Sequence, residues 1–152
     1  MDTTGFFHYP TLPASAPIPD PGFLPDATER EWDALFAATE TLRFSPGEVV
    51  LRAGERYRAF YVLLDGSVET EAYGAAVAAP ATLGAVAFLD GSPRSVTLLA
   101  RTHGETARMS WDAYEALAAR DPRLGRAILL DLGRGLGARL RAAGHAVAGW
   151  TG

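Results

Sequence analysis

The chain is 152 residues long, 48% hydrophobic and 21% charged, with a formal net charge of −4 and an isoelectric point near 5.3. That length suits one domain with a sizeable core, and the acidic balance argues against a broad nucleic-acid or anionic-membrane surface. Cysteine is absent, which excludes disulfides, thiolate metal sites and a cysteine nucleophile.

Met1-Asp2-Thr3-Thr4 carries no basic stretch followed by an apolar one, so no signal peptide is expected. No apolar run approaches the roughly 18 residues that a membrane helix needs, and a cytoplasmic location is the expectation. Residues 1–25 hold Pro10, Pro13, Pro17, Pro19, Pro21 and Pro25 among Phe6, Phe7, Tyr9 and Phe23. Prolines this dense exclude a helix and favour extended chain, while the aromatics argue against plain disorder. The segment reads as an arm lying across the domain or a partner.

Asp26 followed by Glu29 fits a capping box, and Trp32, Leu35 and Phe36 form one apolar helical face. A helix is predicted from residue 27 to Glu40. Beyond Thr41, short strand-like runs alternate with turn signals. The predicted strands are Leu42–Ser45, Glu48–Ala53, Phe60–Leu64, Ser67–Tyr73, Ala75–Ala79, a strand closing at Leu83, Ser95–Ala100 and Glu105–Met109. Asp65-Gly66 between two of them reads as a hairpin turn. Many short, evenly spaced strands argue for a barrel or sandwich rather than βαβ units.

Residues 83–95 stand out. Leu83-Gly84-Ala85-Val86-Ala87-Phe88 reads as the end of a strand opening into one short helical turn. Asp90-Gly91-Ser92-Pro93 is a turn cluster, and Arg94 sits at the mouth of the next strand. N–H groups at a helix start attract an anion, and an arginine opposite them would clamp a phosphate. The plainer reading is a strand connection with a surface arginine.

Ser110 caps a predicted helix from Trp111 to Arg120, and Asp121-Pro122 restarts the chain as N-cap and N1 proline. The last helix is predicted from Pro122 to Ala143. Leu124, Ile128, Leu132, Leu136 and Leu140 form its apolar stripe, joined by Leu129. Gly133, Gly135 and Gly137 each weaken a helix by about 0.8–1 kcal/mol, so it needs packing on the barrel or on a second copy. Residues 145–152 read as a frayed tail.

Enzymatic chemistry has no residue set. His8, His103 and His145 lie far apart, so a metal-dependent cupin-like roll lacks ligands. Ser67, Ser92, Ser95 and Ser110 have no base at a recognisable spacing. Glu48, Glu55, Glu69 and Glu71 fall at turns or on an outward strand face.

From Phe44 onward the chain resembles the cyclic nucleotide-binding domain shared by catabolite-activator-type regulators, cyclic-nucleotide-dependent kinases and gated channels. The matching pieces are Phe44-x-x-Gly47-Glu48, Gly54-Glu55, the run Phe60 to Val68, Leu83-Gly84, Ser92-Pro93-Arg94-Ser95, Ser110-Trp111 and Asp121-Pro122-x-Leu124. The resemblance covers about residues 27–143. It implies a mostly-β fold, a jelly-roll-like double-stranded β-helix or β-roll, with one N-terminal and two C-terminal flanking helices. The domain would span 26–144, between the Pro-rich arm and the tail. By that analogy Arg94 would pair with a cyclic phosphate, N–H groups of Ala85, Val86 and Ala87 would face it, Ser95 would add a hydroxyl, and the last helix would cap the base. The ligand would be cAMP or cGMP, and no further cofactor is expected.

The chain departs from the family at this cassette. The glutamate that usually follows the glycine and takes the ribose hydroxyl is Ala85, and a glycine expected a few residues earlier is Pro80. No helix-turn-helix follows the last helix, so direct DNA binding is not expected. Two readings therefore stand. One is a non-catalytic sensor that binds a cyclic nucleotide and signals through the last helices. The other is a degenerate domain that binds none and acts as an interaction or dimerisation module through the Leu124–Leu140 stripe. Arg94 would then form a structural ion pair, with Asp90 the nearest carboxylate in sequence.

Overall fold

The computed structural model describes residues 22–72 and 74–146, with side chains as far as Ala142. The arm up to residue 21, His8, the His145 side chain and the tail from residue 147 lie outside the described residues. The elements are α1 (Glu29–Ala37), β1 (Glu40–Phe44), β2 (Val49–Leu51), β3 (Ala59–Asp65), β4 (Ser67–Thr70), β5 (Ala76–Ala78), β6 (Ala81–Leu83), α2 (Ala85–Asp90), β7 (Leu98–Ala100), β8 (Gly104–Ser110), α3 (Trp111–Arg120) and α4 (Pro122–Ala146). None of the helices among the described residues is long and apolar enough to cross a membrane.

Two four-stranded antiparallel sheets face each other, in the orders β1-β8-β3-β6 and β2-β7-β4-β5. This is the jelly-roll-like arrangement that the strand pattern implies, with the helices packed on the outer face of the first sheet. One expected turn differs. Asp65-Gly66 joins no hairpin, because β3 pairs with β6 and β8 while β4 pairs with β5 and β7. Gly66 has φ +90°, and a Cβ there would lie 2.8 Å from Gly104 Cα. The glycine turns the chain from one sheet to the other under the β7–β8 connection.

α1 is capped two residues later than expected. Thr28 Oγ1 accepts from the Glu31 N–H (3.1 Å), and Glu31 Oε1 accepts from the Thr28 N–H (3.0 Å). Asp26 is left in the preceding turn, where the Ala27 N–H bonds the Leu24 carbonyl. Leu24 is buried, and its N–H donates to the buried carboxylate of Asp131 on α4 (2.7 Å). Phe23 packs edge-on against Phe60 and Trp32.

β3 divides the core. Phe60 and Val62 face the helices, against Phe88, Tyr114, Leu117, Leu124, Ile128 and Leu132. Ala59, Tyr61 and Leu63 face the second sheet, against Leu51, Val68, Val77 and Leu98. Leu124, Ile128 and Leu132 are at most 1% exposed. The first half of the α4 stripe is thus the domain's own core and not a partner surface, because a two-layer roll needs a helix to cover its outer sheet. Leu136 is partly buried and Leu140 is 73% exposed. α3 and α4 meet closely where a Cβ on Gly125 would run into Ala118, and Tyr114 Oη donates to the Gly125 carbonyl (2.8 Å).

Candidate functional site

The cassette begins where β6 ends. Gly84 has φ +77° and opens α2, whose six residues close at Gly91 with φ +72°. Ala85 and Ala87 turn their methyl groups into the core, while Val86 is exposed. The first N–H groups of any helix have no partner within it, so those of Ala85, Val86 and Ala87 form the start of this turn. Asp90 accepts from both the N–H and the hydroxyl of Ser92 (2.8 and 2.5 Å). Those hydrogen bonds hold its carboxyl below the usual carboxylate range. Asp90 is therefore committed to its own loop and makes no ion pair with Arg94.

Arg94 is the centre of the site and is only 5% exposed. Nη1 donates to the Gly84 carbonyl (3.1 Å), and Nη2 donates to the carbonyls of Tyr57 (3.0 Å) and Ala59 (2.7 Å). Its guanidinium carbon lies 5.6 Å from the Tyr61 ring centre. Backbone bonds fix its position, from the Arg94 N–H to the Glu55 carbonyl and from the Gly54 N–H to the Arg94 carbonyl, both 2.8 Å. Burial pushes the guanidinium below its usual pKa, and Tyr61 and Glu55 oppose that shift. Three carbonyls use three of the five N–H bonds of the group. Gly84 is matched to this arginine, since a Cβ there would run into Nη1.

Two further arginines hold the cassette. Arg58 donates from Nε to the Phe88 carbonyl (2.7 Å) and from Nη2 to the Leu89 carbonyl (3.1 Å), which caps the C-terminal end of α2. Its guanidinium lies 3.6 Å above the Trp111 ring, a cation–π contact. Arg139 on α4 donates to the Thr82 carbonyl (3.0 Å), one residue before Leu83. Sequence reading singled out neither. Arg58 lies in Arg-Tyr-Arg between two turns, and Arg139 lies in an arginine-rich helix; no spacing marks either as a carbonyl ligand.

Gly84, Ala85, Val86 and Ala87 form the start of α2 and Arg94 bonds the Gly84 carbonyl, while Ser95 follows Arg94 outside any helix or strand and is exposed. No substitute for the missing glutamate emerges from the carboxylates considered. Glu48 bonds the Ser45 N–H, Glu55 bonds the Arg52 N–H and Glu69 pairs with Arg101. Glu71 is exposed.

Known proteins agree with this architecture. The cAMP-dependent protein kinase regulatory subunit of Emericella nidulans is 31% identical over 87 residues, which are 53% of this chain and 21% of that protein. The chain thus spans about a fifth of the length of that relative. A cyclic nucleotide-binding domain from Methylobacillus flagellatus superposes with a TM-score of 0.75 at 25% identity, covering 83% of this chain and 75% of the other. The catabolite activator protein of Thermus thermophilus has the same fold, with a TM-score of 0.68 at 22% identity over 80% of this chain and 59% of that one. The profile of the family described as "Cyclic nucleotide-binding domain" matches residues 41–121, more than half of the sequence. With a matching profile and the jelly roll in place, the chain belongs to the cyclic nucleotide-binding domain family.

Proposed function

We propose that the domain is a non-catalytic sensor that takes cAMP, cGMP or a related cyclic phosphate at residues 83–95 and signals through α3 and α4. One observation carries this reading above all: the Arg94 guanidinium is held at the first turn of α2 by the Gly84 carbonyl, beside the N–H groups of Ala85, Val86 and Ala87. An anion in that turn meets the remaining arginine donors and the helix start together. Ala85 offers no acceptor for a ribose hydroxyl. A hydroxyl left unpaired there weakens binding by roughly 1–3 kcal/mol, about ten- to two-hundred-fold. The reading is therefore of a weak sensor. Its output route is the bond from Arg139 to the Thr82 carbonyl, which links α4 to the strand entering the cassette. A ligand that shifts the Gly84 turn biases α4 between two positions.

A thermal-shift titration with cAMP, cGMP and a cyclic dinucleotide, on the wild type and Arg94→Lys, tests this. A ligand at a hundred times its dissociation constant adds about 2.7 kcal/mol, hence several degrees. The expected result is a rise with at least one ligand that Arg94→Lys abolishes. No shift of the wild type at millimolar ligand overturns the proposal.

The burial of Arg94 among three carbonyls, with Ala85 beside it, favours a second reading: a ligand-free interaction module in which Arg94 is purely structural. Its surface would be the outer part of α4, Leu136 and Leu140. Light scattering on the wild type and Leu140→Asp tests the homodimer form of that idea, and two monomers would sink it.

A further inference from the structure

The roll is open along one edge. β1 is an edge strand of the first sheet and β2 an edge strand of the second, and β2 pairs with β7 alone. Beside β2 runs a groove of about 490 Å³ lined by Val49, Val50, Arg52, Glu55, Tyr57, Tyr61 and Arg108. A second groove of about 480 Å³ shares Val49, Val50, Arg52 and Tyr61 with it and continues past Leu42 and Phe44. This edge lies outside residues 83–95.

The lining is aromatic and of mixed charge, with Arg52, Arg108 and Glu55 in the first groove and Glu48 in the second. Tyr61 and Arg108 are cross-strand partners, and Glu40 is the partner of Arg108 on β1. Arg108 is held by the Glu40 carboxylate (2.8 Å), and its guanidinium lies 5.0 Å from the Tyr57 ring centre. The Glu55 carboxylate accepts from the Arg52 backbone N–H. The guanidinium of Arg52 is exposed and meets no acceptor among the described residues. Tyr57 is 44% exposed, so its ring stands open at the lip of the groove.

We infer that this groove is a second small-molecule site, for a compact aromatic anion. A planar ring would lie against the Tyr57 and Tyr61 rings and the side chains of Val49 and Val50. Its anionic group meets Arg52, whose guanidinium is in no ion pair among the described residues although Glu55 lines the same groove, with Arg108 beyond it. The same residues hold the cassette arginine: the Tyr57 carbonyl accepts from Arg94, and the Tyr61 ring lies under its guanidinium. An occupant therefore packs on the supports of Arg94 without touching the cassette.

The test uses the full chain with phenyl phosphate as the probe, followed by calorimetry and ligand-observed NMR. Saturable binding is expected. Arg52→Ala, at an exposed position, should weaken it about tenfold or more with the melting temperature unchanged, and Tyr57→Ala should weaken it as much with only the small loss in melting temperature expected from its contact with Arg108. Arg52→Lys should recover part of the loss. Inorganic phosphate and benzyl alcohol, each holding half of the probe's chemistry, should bind at least about tenfold more weakly. Absence of saturation up to about 10 mM phenyl phosphate overturns the inference. So does binding that Arg52→Ala leaves intact and Arg94→Lys removes, since that pattern assigns the probe to the cassette. The two sites fail separately: a cyclic nucleotide shift without phenyl phosphate binding refutes only the groove, and the reverse refutes only the sensor.

Discussion

The two faces of β3 are built on different principles. Toward the helices, Phe60 meets Phe88 edge-on at 4.9 Å between ring centres, and Phe88 meets Trp111 and Tyr114 at 5.0 and 5.5 Å. Phe60, Phe88, Leu124 and Ile128 are wholly buried. Toward the second sheet, Ala59, Tyr61 and Leu63 share their layer with the buried Arg94 and Thr106, and the layer opens to solvent at β1 and β2. One face is packed mainly by aromatic and aliphatic side chains. The other tolerates a buried cation because backbone carbonyls solvate it. The comparison teaches that the helix-side core and the layer that holds Arg94 are separated here by the alternation of side chains along one strand.

That contrast is open to attack from either side. The largest effect is expected for Phe88→Ala, which removes the ring that joins three others: about 3–5 kcal/mol by urea denaturation. A loss under about 1 kcal/mol would mean that the helix-side core is not the tightly packed one. Arg94→Met comes next, because it leaves buried carbonyls without a donor, at roughly 2–4 kcal/mol. If Arg94→Met is instead neutral or stabilising, the roll side is as apolar in its energetics as the other. Arg58→Met removes the cap of α2 and the contact with Trp111, for about 1–2 kcal/mol and a change in tryptophan emission.

A pH series sharpens the helix side. Burial pushes the Tyr114 phenol above its usual pKa of 10.0. The folded chain then keeps a proton that the unfolded chain loses, so stability should be complete below pH 10 and fall as pH rises past it. Tyr114→Phe should flatten that decline while costing about 1 kcal/mol at neutral pH for the lost bond to Gly125. The smallest effect belongs to the surface. Arg43 pairs with Glu105 but its side chain is 84% exposed, so Arg43→Ala should change stability by less than about 0.5 kcal/mol.

Most of the local signals are legible in the sequence. Ser110 and Asp121 cap the helices they precede, and both N-cap bonds form, to Ala113 and Leu124. Gly84 and Gly91 bracket the cassette turn with positive φ. Short-range competition misled at one place, since Thr28 and Glu31 complete a capping box that Asp26 and Glu29 only resemble. Partners distant in sequence were invisible. Asp65-Gly66 announces a turn but not which sheet receives the chain. Leu124 to Leu140 announces an apolar stripe but not where the domain's own core stops.

By itself, then, the sequence determined the strand rhythm, the flanking helices, the short helical turn that opens after Gly84 and the alanine at position 85. These follow from backbone propensity, side-chain periodicity and the identity of single residues, which need no neighbours to act. Only the tertiary structure decided that Arg94 is solvated by carbonyls of Tyr57, Ala59 and Gly84, that Arg58 and Arg139 hold the two ends of the cassette, and that the roll is open beside Arg52 and Tyr57. The physical reason is one of range. A buried guanidinium must find acceptors wherever the fold brings them, and here they come from 10 to 37 residues away along the chain.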